Sequence, residues 1–280
     1  VSQYDDGYLA EVNFIDGQAL TPSSFGAYDG NGIWQPVKYS GTYGTNGFYL
    51  PFTNTTSTTT LVQDSSGNGN NWTPNNISLT AGTTYDSMID SPTVSASSSN
   101  YAVMNPNFVT PSTTFSNGNL TLTKTGNADV VATSTIAMPS SKWYWEVTLT
   151  SLSSSGDLAI GILKNTQTNG SWVTNLPNGV YFNSGNGVWR YGSNVTATLG
   201  TTFATNNILG LALDMDSGTL ALYKNNSLIY TVSGVDTTTP HYAFWDCYTS
   251  GEIGDFNFGQ RPFTYTPPTG YNALNTYNLP

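Results

Sequence analysis

The chain has a single cysteine, Cys247, and a single histidine, His241. One thiol excludes an internal disulfide, and no Cys/His cluster exists that could hold zinc. Charge is scarce too: 9% of residues are Asp, Glu, Lys or Arg, where an ordinary globular chain has about 25%. What charge there is has one sign, 17 acids against 7 bases, for a net −10. The first 99 residues hold 8 of the acids and only Lys38 as a base, and the rest hold 9 acids and 6 bases. Neither part presents a basic face, which excludes phosphate-backbone binding and attraction to anionic lipid. No apolar run approaches the ~18 residues of a spanning helix, so no membrane insertion is expected, and no basic-then-apolar leader opens the chain. It begins at Val1, as a processed product or a piece of a longer protein would. The strong helix formers Glu, Lys, Arg and Gln are rare, and Gly, Asn, Ser and Thr interrupt nearly every window, so helical periodicity is almost absent.

Aromatic residues are plentiful, at 13%. Apolar content without high charge argues against disorder and for a folded chain of strands and turns. Short β-rich runs recur at 8–15, 48–52, 120–123, 143–149, 158–163, 179–182, 187–191, 208–213, 219–224, 227–232, 242–248 and 253–258. Many short strands bounded by turn residues predict an all-β, antiparallel sandwich. The Ser-rich stretch 91–100 has no apolar pattern and is the candidate boundary. It separates a β-rich accessory or assembly region, 1–95, from a sandwich, 100–270, and an extended tail, 271–280. Within the sandwich, prolines at 262, 267 and 268 with interleaved aromatics predict a strap lying across the body.

The run KWYWEVTLTS at 142–151 shows how the core is encoded. Alternation puts Trp143, Trp145, Val147 and Leu149 on one face and Tyr144, Glu146, Thr148 and Thr150 on the other. The tryptophan face is apolar throughout and belongs between the sheets, with Leu211, Leu213, Phe256 and Phe258 as further core positions. Leu209, Leu211 and Leu213 share a face, 214–218 turns, and Leu220 and Leu222 return, which is a hairpin pattern.

Five segments occur in a specific order: Trp143-Tyr144-Trp145-Glu146-Val147; Leu158-Ala159-Ile160-Gly161-Ile162; Gly187-Val188-Trp189-Arg190-Tyr191-Gly192; the hairpin 208–226; and Gly254-Asp255-Phe256-Asn257-Phe258-Gly259. Together they resemble the SPRY domain. That resemblance implies a concanavalin A-like jelly-roll sandwich of two antiparallel sheets, loops at one end that bind partners, and no catalysis. The turn Asp64-Ser65-Ser66-Gly67-Asn68-Gly69-Asn70 looks like the opening turn of laminin-G-type modules. Segments 44–52 and 259–271 are similar to parts of SPRY-bearing bacteriophage virion proteins. This likeness implies a tail-fibre or appendage component at the virion surface, extracellular, that binds host-surface glycan or protein and assembles with itself or other virion subunits. The alternative is a structural capsid-decoration or filament-forming role.

Ligand contacts are best sought among aromatics outside the core pattern: Trp34 and Trp172 in loops, with Trp189 and Tyr191. Asp64, Asn68 and Asn70 have the alternating oxygens of a calcium loop but lack the closing bidentate glutamate, and a structural turn accounts for them better. Asp214 and Asp216 read as hairpin-turn acceptors rather than a glycosidase pair. His241 and Cys247, six positions apart on a strand, would face the same side but lack a third orienting group. Neither an active site nor a cofactor is expected.

Overall fold

The computed structural model describes residues 8–28, 30, 32, 34–82, 84–90, 99–107, 112–128, 130–153, 158–164, 179–185, 187–190 and 193–280. The chain divides into two compact units, one of Val1–Thr80 with Thr84–Met88 and one of Ala81–Thr83 with Ile89–Pro280. The Ser-rich stretch is, for residues 91–98, outside the described residues.

The N-terminal unit is built from very short pieces. β1 (Val12–Phe14) pairs with β4 (Phe48–Leu50), β2 (Gly26–Tyr28) pairs with β3 (Trp34–Pro36), and α1 (Thr58–Leu61) is a single turn. Ser57 caps that turn: its hydroxyl accepts from the Thr60 backbone N–H while the Ser57 N–H is bonded by Thr60 Oγ1, a reciprocal box that satisfies two donors at once. Among the described residues, the buried apolar side chains of this unit are Tyr43, Tyr49, Leu50, Leu61 and Val62. That is a thin core.

The second unit is the expected antiparallel sandwich. One sheet has seven strands in the order β15 (Ser227–Ser233), β14 (Thr219–Lys224), β13 (Ile208–Asp214), β8 (Lys142–Ser151), β17 (Ile253–Asn257), β6 (Thr121–Lys124), β5 (Thr113–Ser116). The other has six: β12 (Ser193–Thr198), β11 (Gly187–Arg190), β10 (Gly179–Asn183), β9 (Ala159–Leu163), β16 (Tyr242–Cys247), β7 (Val130–Thr133). Each of the twelve β-rich runs contains a strand. β2, β3, β5, β7 and β12 were not anticipated; β5 and β12 read TTFS and SNVTAT, hydroxyl-rich wording that gives no apolar alternation.

The inner face of the seven-stranded sheet follows from register. Trp145 lies opposite Leu211, which lies opposite Leu222; Trp143 lies opposite Leu213, which lies opposite Leu220; Val147 lies opposite Phe256. Trp143, Trp145, Leu211, Leu213, Phe256 and Phe258 are all buried. From the facing sheet Trp245 meets Phe256 edge-on, 6.1 Å between centroids, and its ring lies against Gly254, where a Cβ would collide with it. Glycine here is a packing requirement rather than a turn device. The β14–β15 connection is the two-residue loop Asn225-Asn226, both at positive φ (48° and 68°), a conformation asparagine tolerates and the right-handed strand twist favours.

The outer face of the seven-stranded sheet is covered at its centre as well. Tyr144 and Glu146, which alternation assigns to the polar side of β8, are 2% exposed. The proline strap is what covers them. Glu146 accepts the backbone N–H groups of Thr264 (2.8 Å) and Tyr265 (2.9 Å) and the Tyr144 hydroxyl (3.1 Å), and Phe263 packs edge-on against Tyr144 with centroids 5.0 Å apart. Asn257 donates to the Pro262 carbonyl, and Arg261 at the root of the strap forms a buried ion pair with Asp255, whose other oxygen accepts from Thr121. The last ten residues are pinned too. Leu274 is fully buried, and the Tyr144 and Ala102 N–H groups donate to the carbonyls of Asn272 and Leu274.

Candidate recognition surface

With both faces of the seven-stranded sheet covered at β8, exposed apolar surface has to be found elsewhere, and among the described residues its distribution is uneven. Among the described residues, Tyr8, Leu9, Phe14, Leu20, Tyr28, Trp34, Val37 and Trp72 of the N-terminal unit are exposed, against Ile89, Leu228, Tyr248 and Tyr277 of the much longer second unit. Scattered single residues of this kind need no explanation. Four of those in the N-terminal unit, however, Phe14, Tyr28, Trp34 and Trp72, stand in ring–ring contacts. On the β2–β3 hairpin Tyr28 and Trp34 are direct cross-strand partners, their rings perpendicular with centroids 5.1 Å apart, and the indole lies over Gly26. Phe14 and Phe48, also cross-strand partners, stack at 5.4 Å, and Phe48 meets the Trp72 ring at 5.5 Å.

The other face of β1–β4 is polar. The Tyr49 hydroxyl donates to the Glu11 carboxylate, the Tyr43 hydroxyl donates to Asn13 Oδ1 at 2.9 Å, and Lys38 Nζ stands 5.9 Å from the Tyr49 ring centre. Burial, then the bond and charge of Glu11, push the Tyr49 phenol well above its usual range, so it stays protonated.

Of the residues singled out for ligand contact, Trp34 is not in a loop as expected but is the first residue of β3, paired with Tyr28, and it is on the surface, 43% exposed. Trp189 lies on β11 opposite Tyr181, with only its backbone described. Trp172 and Tyr191 lie outside the described residues. Sequence reasoning passed over Phe14, Phe48 and Tyr28. The available signal was that Tyr28 stands in a stretch with no apolar alternation around it, so it had no strand face to belong to.

Asp64, Asn68 and Asn70 are engaged as a structural turn is, by hydrogen bonds to their own and neighbouring backbone. Asp64 accepts from the N–H groups of Tyr49, Ser66 and Asn70 and from the Ser66 hydroxyl, all within 2.9 Å. Burial raises its carboxyl pKa, but these bonds outweigh it and the net position is below the usual range. Asn68 donates to the carbonyls of Gly44 and Gly47, and Asn70 to those of Thr45 and Gly47. The Asp64 oxygens a cation would need are already taken by N–H and O–H donors, and the Asn68 and Asn70 amides are committed through nitrogen to backbone carbonyls. The loop ties 44–49 to 64–71 instead. Among the described residues no group of three His, Cys, Asp or Glu side chains is placed to hold a metal.

The other polar candidates resolve in the same way. Asp214 accepts the N–H groups of Asp216 and Ser217 and pairs with Lys142 at 3.0 Å, while Asp216 accepts the Ser141 N–H. Cys247 is buried, with burial pushing its thiol upward, and accepts from the Trp245 indole N–H. His241 is fully buried, six residues away, which along a strand is about 20 Å. The two cannot act on one substrate atom.

Burial pushes His241 down to about 4; nearby Asp236 opposes this and Lys164 reinforces it. Unfolded, the imidazole takes its proton near pH 6.5. Between about pH 6.5 and 4 the unfolded chain therefore binds more protons than the native one, and stability must fall as pH falls through that window, by about 3 kcal/mol in total. Urea midpoints measured from pH 7 to 4.5 should drop accordingly, and His241→Gln should flatten the slope. An unchanged slope in the variant would place the acid sensitivity elsewhere.

Residues 142–261 match the SPRY domain. The matched span runs from the first residue of β8 to Arg261 at the root of the strap, and so takes in the core hairpin and the Asp255–Arg261 pair. Solved structures similar to the chain include the SPRY domain of human HERC1 (18% identity, 57% of this chain and 99% of that one, TM-score 0.49) and the TRIM65 PSpry domain (14%, 56% and 90%, 0.44). A human SPRY domain is also similar (14%, 54% and 98%, 0.44). No curated protein matches the chain significantly. The SPRY-like sandwich accounts for the second unit's centre; the N-terminal unit lies outside the matched span.

Proposed function

We propose that the chain is a non-catalytic recognition protein, in which the SPRY-like sandwich is the rigid carrier and the N-terminal unit supplies contact surface. The observation that carries this reading is the concentration of exposed, mutually packed aromatic rings in the smaller unit. Flat rings beside amide and hydroxyl groups suit both sugars and polypeptides. In keeping with the resemblance of 44–52 and 259–271 to phage virion segments, the setting we propose is a tail fibre or appendage at a virion surface, facing host glycan or protein.

Labelled protein applied to a panel of bacterial cells should bind at least one strain. Tyr28→Ala with Trp34→Ala should weaken that binding about tenfold, the equivalent of ~1.4 kcal/mol, without loss of β-sheet circular dichroism. Filament or shell formation without binding to any strain would overturn this reading in favour of a purely structural role, and release of reducing sugar from a polysaccharide panel would make the protein an enzyme.

A further inference from the structure

The two faces of the β1–β4 pair carry the same chemistry in different states. On one face the Tyr49 ring has Lys38 Nζ 5.9 Å from its centre and the Glu11 carboxylate on its hydroxyl. A cation beside a ring and a carboxylate is attracted by both, by the ring through its quadrupole and by the carboxylate through its charge. On the other face Phe14 and Phe48 stack as cross-strand partners, centroids 5.4 Å and planes 17° apart. Asp16 comes two residues after Phe14, and its Oδ2 accepts the backbone N–H (3.1 Å) and the side-chain Nδ2 (2.9 Å) of Asn46, two residues before Phe48. The second face therefore has rings and a carboxylate but no base. Lys38 is the only base in residues 1–88, against seven acids, for a net −6.

The Phe14 ring has a free side. β1 and β4 form a two-stranded sheet with no further strand beyond β1, and among the described residues Phe48 is the only ring in contact with Phe14. Phe14 is nonetheless 49% exposed. Since one face is stacked on Phe48, the exposed half is the half turned away from it. On the far side of the row Trp72, 43% exposed, meets Phe48 at 5.5 Å and is tied by its N–H bond to the Val62 carbonyl. The row is longer than one ammonium or guanidinium group, and its Trp72 end suits an apolar side chain. The acidic excess of the unit draws a basic partner from a distance, and ring and carboxylate hold it at contact.

We propose that Phe14, Phe48 and Trp72, with Asp16, are a docking site for a basic segment of a partner polypeptide. A lysine or arginine of that segment lies on the open side of Phe14 beside Asp16, and an apolar neighbour covers Trp72. This deepens the recognition reading above, rests on it, and chooses protein over glycan.

The test is an array of synthetic peptides in which lysine and arginine are compared, position for position, with acetyl-lysine and citrulline. It is probed with the full chain, Phe14→Leu and Asp16→Asn, alongside the cell panel with and without trypsin treatment of the cells. Phe14→Leu keeps apolar bulk and removes the ring; Asp16→Asn keeps an acceptor for Asn46 and removes the charge. Basic peptides should bind at least about fivefold tighter than their neutral counterparts, less so in added salt, and either substitution should remove about fivefold. Cell binding should be lost after trypsin. Equal binding of basic and neutral peptides, basic-peptide binding unchanged by both substitutions, or trypsin-insensitive cell binding would each overturn the basic-segment site while leaving recognition standing. Preference for choline-bearing vesicles over peptides would overturn the polypeptide partner, and self-association lost in Trp72→Ala would overturn it in favour of contact between copies. No binding to any cell or peptide would overturn both readings.

Discussion

Replacing Arg261 by alanine should cost about 3–5 kcal/mol, because it leaves the Asp255 carboxylate buried without its counter-charge. Asp255 is 3% and Arg261 4% exposed. Arg261 also bonds the Phe256 carbonyl at 3.1 Å, so its loss frees a second acceptor. The double variant Asp255→Leu, Arg261→Met should recover most of that loss, since two well-packed apolar side chains need no desolvation of charge. Urea denaturation of the two single variants and the double variant closes the cycle, and a double variant no better than either single would mean that the pair contributes net attraction. A third observable follows from position. Because Arg261 roots the strap, the single variant should expose the strap to limited proteolysis before the sandwich unfolds.

Trp145→Ala should be comparably severe, about 3–5 kcal/mol, by a different route. The indole is 1% exposed and sits opposite Leu211 in the middle of the seven-stranded sheet. Truncation removes apolar surface from the core and leaves a cavity that two paired sheets cannot close, since closing it would break register on both sides. A midpoint shift without a change in the denaturant slope is the signature of this mechanism. Trp145→Phe should recover about half of the loss, whereas it could do nothing for a role in ligand contact. With total stabilities of about 5–15 kcal/mol, either substitution brings the protein close to unfolding at ambient temperature.

The two sites differ in how visible they were beforehand. Period-two alternation places Trp145 in the core from ten residues of sequence, because one face of β8 is apolar throughout. The same alternation assigns Glu146 to a wet face, and there it misleads. Glu146 is covered by backbone N–H groups at 264 and 265, and no local pattern reports a partner more than a hundred residues away. Asp255 is hidden for another reason: in sequence it is one polar residue of an alternating strand, and its counter-ion, only six residues on, lies past the strand's end, where period-two alternation no longer places side chains.

The recognition surface was partly legible. Trp34 stood out as an aromatic with no strand to belong to, and it is exposed. Phe14 and Phe48 fell inside β-rich runs, and nothing in a run three residues deep says which face will find a core. That depended on how little apolar material the N-terminal unit has to cover them. Asp64, Asn68 and Asn70, read as a turn in preference to a calcium loop, show an ambiguity of pattern, since oxygen-bearing residues at alternate positions suit both a cation and a tight turn. Only the donors around Asp64 separate the two.

The place of β17 in the seven-stranded sheet has a temporal consequence. It is the last strand of the chain, yet it is inserted between β8 and β6. Until residues 253–257 have left the ribosome, the β5–β6 ribbon has no neighbour to join, and the strap that seals β8 follows later still. Two-stranded ribbons are marginal alone, and pairings this distant in sequence close slowly. The sandwich therefore cannot complete itself before residues 253–257 are available. A chain ending before Ile253 should accumulate as an open, aggregation-prone sheet edge rather than as a smaller stable domain.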